Sequence, residues 1–419
     1  MDDVPPGPTA PVPRRPALSV VIPVYNGGSD LGRCLRRLRE SRGTDFDLIV
    51  VDDGSTDGSA AVAAWFGARV ISNPEPLGPA SARNTGARAA TADLVFFLDA
   101  DVAVHPETLA RAVARFEADP GLTALFGSYD DRPEAPGLVS RFRNLLHHFT
   151  HQQGQFVDDA RPAHTFWTGC GAIRRRAFLE AGGFDPRLYA RPAIEDIELG
   201  YRLTRAGHRI VLARDVLGTH LKRWTLASVV RTDIFQRGVP WVLLMKRQRI
   251  TETDLNVRPS QKACVALAGL AALALLAAPW RPWLLAAVFA CQALVIGLNG
   301  PFYRFLARKR GAAFAAGSVP LHLLYYGCCG LSVVMALAFW HLRAWRPSAA
   351  DSSSGSQFCS SRLMSKNRTG RPPAARRWPK RVNPAPASVA PSATVTRRAP
   401  AAKRASRAAE SVSACVDGS

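Results

Sequence analysis

The chain is built around LVFFLDAD, residues 94–101. Five apolar residues in a row, between Asp93 and Asp99, predict a strand that is buried on both faces, as in parallel sheets. Sheets of that kind place their ligands at the carboxyl ends of the strands, where this chain has Asp99 and Asp101. A turn after Leu98 would bring both carboxylates to one ligand, and Mg²⁺ or Mn²⁺ takes carboxylate oxygens together with substrate phosphates. The alternative is an ordinary acidic turn.

The residues around this strand alternate between short apolar runs and helical patterns. Apolar runs at 18–22, 48–51 and 69–71 predict three more strands, and residues 78–90 predict an Ala-rich helix that leads into the central strand. Alternating strands and helices of this size predict an α/β fold, with a parallel sheet and helices on both of its faces.

Composition limits the classes of partner. The 419 residues carry a formal net charge of +21, and residues 341–419 hold 15 Lys and Arg against 3 Asp and Glu. Basic charge suits nucleic acid or an anionic membrane, but this segment lacks regularly interleaved aromatic residues, so we expect no nucleic-acid partner. The eight cysteines form no CxxC pair, which favours a reducing compartment. The Pro-rich residues 1–16 do not resemble a signal peptide, and we expect them to be disordered.

Polar residues follow three of the predicted strands. PVYN at 23–26, DDGS at 52–55 and DAD at 99–101 would meet at one edge of a parallel sheet. The chain has neither GxGxxG nor a Walker sequence, which excludes dinucleotide and P-loop classes. The three loops therefore predict a nucleotide site without a Gly-rich phosphate loop.

Four segments together resemble the inverting family 2 glycosyltransferases. They are SVVIPVYN at 19–26, VVDDGSTD at 50–57, GPASARNTG at 78–86 and FLDAD at 97–101, which matches the DxD motif of that family. The resemblance implies a GT-A fold, which is a Rossmann-like and mostly parallel sheet, over residues 17–225. It also implies a nucleotide-sugar donor of the UDP or GDP type.

The resemblance assigns donor contacts residue by residue. Pro23 and Tyr25 match the first motif, and Tyr25 would stack near the base. Asp53 would take a uracil-type base edge or the ribose, and Arg83 would lie near the nucleotide. Asp99 would reach the ribose.

Two further positions concern the metal and the diphosphate. By resemblance, Asp101 would bind a divalent cation, Mg²⁺ or Mn²⁺, that bridges the diphosphate. Polymerising relatives carry Gln-x-x-Arg-Trp where this chain has His220, Arg223 and Trp224. The replacement of Gln by His argues against processive polymer synthesis. His220 is either a third metal ligand or a turn residue, Arg223 could meet the diphosphate, and Trp224 could pack against the acceptor.

An acidic pair opens a later amphipathic helix, at Glu195 and Asp196. In the family the second acid of this pair is the general base, which here is Asp196, and Glu195 belongs to the same catalytic pair. The alternative for Asp196 is a helix-capping carboxylate. Upstream, Gly169 and Cys170 fall in a segment that resembles the acceptor side of the family's site.

The rest of the chain predicts membrane association. Residues 226–262 have the mixed apolar and basic composition of interfacial amphipathic helices. Residues 263–341 predict about three transmembrane helices, and an arrangement with only two fits this segment less well. Residues 342–419 predict a disordered basic tail. We therefore expect a multi-pass protein of the inner or plasma membrane, with a cytoplasmic catalytic domain.

These expectations combine into one functional hypothesis. The protein would be a membrane-anchored inverting glycosyltransferase that moves a sugar from a nucleotide-diphosphate sugar to a lipid or lipid-linked acceptor. One alternative is an enzyme of polysaccharide or glycan assembly. Another is a catalytically silent GT-A module that binds at the membrane.

Overall fold

The computed structural model describes residues 15–250 and 257–342. Within them the strands form one nine-stranded sheet. The strands are β1 (Leu18–Val24), β2 (Phe46–Asp52), β3 (Arg69–Ser72), β4 (Leu94–Leu98), β5 (Val102–Val104), β6 (Leu122–Tyr129), β7 (Ala160–Ala163), β8 (Cys170–Arg174) and β9 (Arg209–His220).

Helices cover the sheet and continue after it. They are α1 (Gly28–Arg39), α2 (Ser59–Trp65), α3 (Pro79–Ala89), α4 (Thr108–Ala118), α5 (Leu138–His151), α6 (Arg175–Glu180), α7 (Glu195–Arg205), α8 (Leu226–Arg231), α9 (Val239–Gln248), α10 (Pro259–Ala277), α11 (Leu284–Leu298), α12 (Gly300–Arg310) and α13 (Ala312–His341). A π-helical segment, Thr232–Gly238, joins α8 to α9 without a break.

The strand order is β3-β2-β1-β4-β8-β6-β9-β5, with β7 also paired to β9. The first four strands in this order are parallel, as the alternating pattern predicts. Beyond β4 the directions mix, because β8 runs antiparallel to both β4 and β6 while β6 and β9 are parallel. The predicted α/β fold class is confirmed, and its antiparallel strands come from the second half of the domain.

Two apolar layers hold the sheet between helices. Alternate residues of β1 point to opposite faces, so that Val20 packs with Leu31 and Leu109 while Val21 packs with Ala82 and Leu199. The five residues of β4 are all buried. The central strand is thus covered on both faces, as its unbroken apolar run predicts.

An apolar helical region follows the sheet. In the described residues two helices are long and apolar enough to cross a membrane, α10 and α13. A third crossing would need α11 and α12 together, and these two helices meet at a 65° bend. The predicted disordered segments, residues 1–16 and 342–419, lie almost wholly outside the described residues.

Candidate active site

The loops after β1 and β2 are bonded to one another. The backbone N–H of Asn26 donates to Ser55 Oγ at 2.9 Å, and Asn26 Oδ1 accepts from the N–H of Thr56 at 2.8 Å. Asn26 has φ of 50°, a left-handed conformation that asparagine tolerates better than most residues. Beside this junction Tyr25 is 56% exposed, so its ring is free to stack on a planar ligand.

Asp53 fixes the start of α3. Its buried carboxylate accepts from Asn73 Nδ2 at 2.7 Å and from the backbone N–H groups of Leu77 at 3.0 Å and Gly78 at 2.7 Å. Gly78 has φ of +89°, and a Cβ there would lie 2.3 Å from the carbonyl oxygen of Ala190. Glycine is therefore required at this position for two reasons. Both oxygens of Asp53 have protein donors, and its predicted contact with the nucleotide stays a prediction.

Arg83 lies one turn into α3 and joins two acidic segments. Its Nη1 donates to Glu195 Oε1 at 2.8 Å, and its Nη2 donates to Asp99 Oδ1 at 2.7 Å. The Arg83 and Glu195 side chains are nearly fully buried. Although burial opposes it, the two carboxylates hold the pKa of Arg83 above its ordinary value. Arg83 thus neutralises one carboxylate from each acidic pair.

Asp196 is the carboxylate next to this ion-pair cluster. Its Oδ2 accepts from the N–H of Thr168 at 3.2 Å, and its Oδ1 accepts from the N–H of Ile197 at 2.8 Å. Burial and the neighbouring charge of Glu195 raise the pKa of Asp196 to about 6, against the opposing effect of Arg83. A carboxylate with that pKa takes up and releases protons near neutral pH.

Asp101 faces the opposite side of the turn, toward β9. Its Oδ2 lies 3.5 Å from His220 Nε2, and the other ring nitrogen of His220 lies 2.6 Å from Asn144 Oδ1. The His220 ring stacks on Tyr129, with centroids 4.2 Å apart. Burial raises the pKa of Asp101, but the interactions with His220 and Lys222 outweigh burial and hold this pKa below its ordinary range. Asp101 is therefore ionised at neutral pH.

His220 is not a turn residue, contrary to one of the two predicted alternatives. It is the last residue of β9 and pairs with Val102 of β5. Asn144 orients the ring so that Nε2 points at Asp101. A carboxylate oxygen and an imidazole nitrogen form a donor set that suits Mn²⁺, with the other positions left to phosphate and water. The described residues contain no group of three or more His, Cys, Asp or Glu placed to hold a metal.

The structure gives different environments to the four residues predicted for the acceptor or diphosphate side. A Cβ on Gly169 would lie 2.3 Å from the ring of Trp167, so the glycine is explained by packing. Cys170 is buried at the start of β8, and burial raises its thiol pKa. Arg223 is exposed, whereas Trp224 is 9% exposed and lies between Lys222 and Arg143. Arg223 therefore lies outside the buried charge network.

Sequence reasoning missed two residues of the site, Tyr129 and Asn144. Tyr129 ends β6 and Asn144 lies on α5. Neither falls in a motif, and both contact His220, a motif residue distant in the sequence. The polar NLLHH run of α5, residues 144–148, is the signal that could have drawn attention to that helix.

The family model for glycosyl transferase family 2 matches residues 19–182. An uncharacterized protein of Mycobacterium tuberculosis is 32% identical over 255 residues, covering 55% of this chain and 77% of that protein. The chain belongs to glycosyl transferase family 2. The predicted family membership is confirmed.

Two relatives of this family 2 glycosyltransferase have names that state an activity. The pre-mycofactocin glycosyltransferase of Mycobacterium tuberculosis is 33% identical over 227 residues, covering 53% of this chain and 46% of the relative. The validoxylamine A glucosyltransferase of Streptomyces hygroscopicus subsp. jinggangensis is 34% identical over 242 residues, covering 51% and 56%. The chain thus spans about half the length of these curated relatives.

A solved structure also resembles the chain. It is a mannosyltransferase from Pyrobaculum calidifontis in complex with GDP-Man and Mn²⁺, with 19% identity and a TM-score of 0.47 over 78% of this chain and 87% of that one. At this level of similarity the match gives no information about ligands of the present protein.

Proposed function

We propose that this enzyme is a membrane-anchored, inverting glycosyltransferase with Asp196 as its general base. The sugar would come from a nucleotide-diphosphate sugar and go to a lipid or lipid-linked acceptor. The observation that carries the proposal is the division of charge around Arg83. Asp99 and Glu195 are bound to this arginine, while Asp196 keeps a pKa of about 6 beside it.

The base acts at Asp196. As the acceptor oxygen attacks the anomeric carbon, its proton passes to the Asp196 carboxylate, and the bond from that carbon to the diphosphate breaks on the opposite side. The N–H groups of Thr168 and Ile197 orient the carboxylate. Attack opposite the leaving group inverts the anomeric centre.

The donor would lie along the loops that follow β1, β2 and β4. Tyr25 is exposed for stacking on the base, with Pro23 directly before it in β1. Asp53 and Arg83 position this edge, because Asp53 fixes the start of α3 and Arg83 binds Asp99. Asp99 would reach the ribose.

Asp101 and His220 are the residues that would hold a divalent cation. Asp101 is ionised, and Asn144 holds the His220 ring with Nε2 toward it. A bound Mg²⁺ or Mn²⁺ would supply positive charge where the leaving diphosphate becomes more negative. The protein's own part is to keep Asp101 charged and the imidazole in one orientation.

The proposed acceptor is held at a cytoplasmic membrane face, and one sugar is added per encounter. The apolar helices α10 and α13 support membrane association. Arg223 and Trp224 lie directly between the last strand of the sheet and the helices that follow it. Anchoring raises the effective concentration of a lipid acceptor near the site.

The metal part of the proposal is tested by removing one ligand. Asp101→Ala is expected to abolish transfer, and chelation of the wild-type enzyme should do the same until Mn²⁺ is restored. Asp215→Ala is the matched control, because Asp215 pairs with Arg115 outside the site. Full turnover by the chelated enzyme would exclude a metal requirement.

A soluble small-molecule acceptor is the second candidate, because the names of two relatives state pre-mycofactocin and validoxylamine A as substrates. Membranes that contain the enzyme would be incubated with labelled nucleotide-sugar and extracted with organic solvent. Label in the organic phase supports the lipid acceptor. Label confined to small water-soluble product would favour the second candidate instead.

A further inference from the structure

The apolar helix α13 runs beside the continuous helix formed by α8, the π-helical segment and α9. A Cβ on Gly238 would lie 2.2 Å from Ser332 Oγ, and Lys246 Nζ lies 5.3 Å from the centroid of the Trp340 ring. In each pair the two residues are 94 positions apart in the sequence, so the two helices run in the same direction. They are therefore parallel neighbours, with Ala336 buried between these contacts and Cys328 buried one turn before them.

The continuous helix is attached to the catalytic domain near both ends. Before its start, the N–H of Trp224 donates to Ser140 Oγ of α5 at 2.8 Å. At its end, Gln248 Oε1 accepts from Arg205 of α7 at 2.9 Å. Leu244 belongs to the apolar layer on one face of the sheet. The helix therefore lies across the domain from α5 to α7.

A buried ion pair attaches the middle of this helix as well. Arg143 of α5 binds Asp233 of the π-helical segment, with Nη2 and Oδ1 at 2.5 Å. Both side chains are less than 10% exposed. Breaking such a pair is costly, so the segment is held firmly on the domain.

The first turns of α13 contact the catalytic domain directly. Ala315 packs with Phe142 and Leu145 of α5, and a Cβ on Gly317 would lie 3.5 Å from the Leu138 side chain. The last turns contact Lys246 of α9, which lies two residues from the Gln248 contact to α7. A 30-residue helix is about 45 Å long. The start of this long helix thus lies against the catalytic domain, and its end lies against α9, which is itself bound to that domain.

A helix that crosses a bilayer cannot have this arrangement. The hydrocarbon core is about 30 Å thick, so a crossing helix carries one end away from a domain that stays on one side. We propose that α13 lies in the plane of the membrane on the catalytic side, between the domain and the lipid. The end of α13 is then on the same side as the active site, and the hairpin of α10 and α11 inserts deepest.

The partner of this surface is a bilayer with anionic headgroups. Exposed leucines of α10 and the exposed Trp280 and Trp283 at the hairpin tip suit lipid. Three basic residues, Arg308, Lys309 and Arg310, end α12, and Lys309 also pairs with Asp131 of the catalytic domain. Basic residues next to the membrane attract anionic lipid.

The charge of the chain after α13 agrees with this sidedness. Residues 341–419 hold 15 Lys and Arg against 3 Asp and Glu. Lys and Arg close to the end of a membrane helix favour the cytoplasmic side, which is the side expected for the catalytic domain, and Arg343 and Arg346 directly follow α13 in the sequence. Three crossings would place the same charge on the opposite side.

Cysteine labelling in the full-length chain tests the proposal. Cys291, Cys329, Cys359 and Cys415 would first be replaced by alanine, and Leu342→Cys or Trp65→Cys added at positions that are 75% and 74% exposed. A membrane-impermeant maleimide is applied to spheroplasts of a heterologous host, before and after permeabilisation. Both cysteines should be protected until permeabilisation. Labelling of Leu342→Cys in intact spheroplasts, with Trp65→Cys protected, would overturn the proposal.

A cross-linking experiment decides the matter if Leu342→Cys resists labelling altogether. Lys246→Cys with Trp340→Cys should be joined by a short bismaleimide in membranes, and the pair Lys246→Cys with Trp280→Cys should not. Failure of the first pair would contradict the side-by-side packing. The inference rests on membrane association, which recovery of the protein in the membrane pellet tests separately from the position of α13.

Discussion

The turn at Asp99 and Asp101 and the helix start at Glu195 and Asp196 each present two carboxylates, and the fold divides both pairs in the same way. One member of each pair, Asp99 or Glu195, forms an ion pair with Arg83. The other member points elsewhere, Asp101 toward His220 and Asp196 toward Thr168. A single buried arginine thus leaves one carboxylate free on each segment.

The two free carboxylates differ because their neighbours differ. Asp101 is half-buried and faces His220 and Lys222, and the pKa of its carboxyl is lowered. Asp196 is half-buried beside Glu195, and its pKa is raised to about 6. Chemically equivalent side chains are therefore suited to different roles, a permanently charged ligand and a proton acceptor.

Removing Arg83 should have the largest effect on this division. Arg83→Met would leave Asp99 and Glu195 without their cation, and breaking a buried pair costs about 3–5 kcal/mol of unfolding free energy. Thermal unfolding in detergent measures the loss, and we expect transfer to disappear with it.

Arg176→Met is the matched control for that variant. Arg176 pairs with Glu180 on the surface, where both side chains are mostly exposed, and exposed pairs contribute little to stability. Equal destabilisation by the two substitutions would show that Arg83 does not hold the acidic segments together.

Asp196→Asn separates the base from the rest of the cluster. The amide keeps the shape but cannot accept the proton, so transfer should fall by about 10²–10⁴-fold. Binding of the nucleotide-sugar, measured by calorimetry, should change little. Wild-type turnover in this variant would make Asp196 a helix-capping residue.

Asn144→Ala tests the proposed metal site at Asp101, because Asn144 orients the neighbouring His220 ring. Without Asn144 the His220 ring loses the partner of its Nδ1, and loss of such a supporting contact weakens metal binding by about 10–100-fold. Titration of activity with Mn²⁺ measures the shift, while kcat at saturating metal should recover. Unaltered metal dependence would mean that His220 is not a ligand.

The pH profile should show the smallest effect. Asp196 accepts a proton only when ionised, so kcat should rise through a pKa of about 6 and level off above it. At pH 5 the rate would be about one tenth of the plateau. The residual activity of Asp196→Asn should not show this rise with pH. A flat wild-type profile would contradict the assignment of Asp196 as the base.

The sequence alone determined the α/β fold class and the positions of the four motifs. An unbroken apolar run can be satisfied only by burial on both faces, and polar residues after parallel strands must meet at one sheet edge. Hydropathy likewise identified α10 and α13 as apolar helices. These properties depend on residues close together along the chain.

The tertiary structure alone decided which carboxylates remain free. Arg83 contacts Asp99, 16 positions away, and Glu195, 112 positions away, while Asn144 reaches His220 across 76 positions. It also placed the start of α13 against the catalytic domain and its end against α9, although the composition of α13 suits a membrane span. Local patterns report how apolar a segment is, whereas pairing of charges and orientation of a helix depend on partners brought near by the fold.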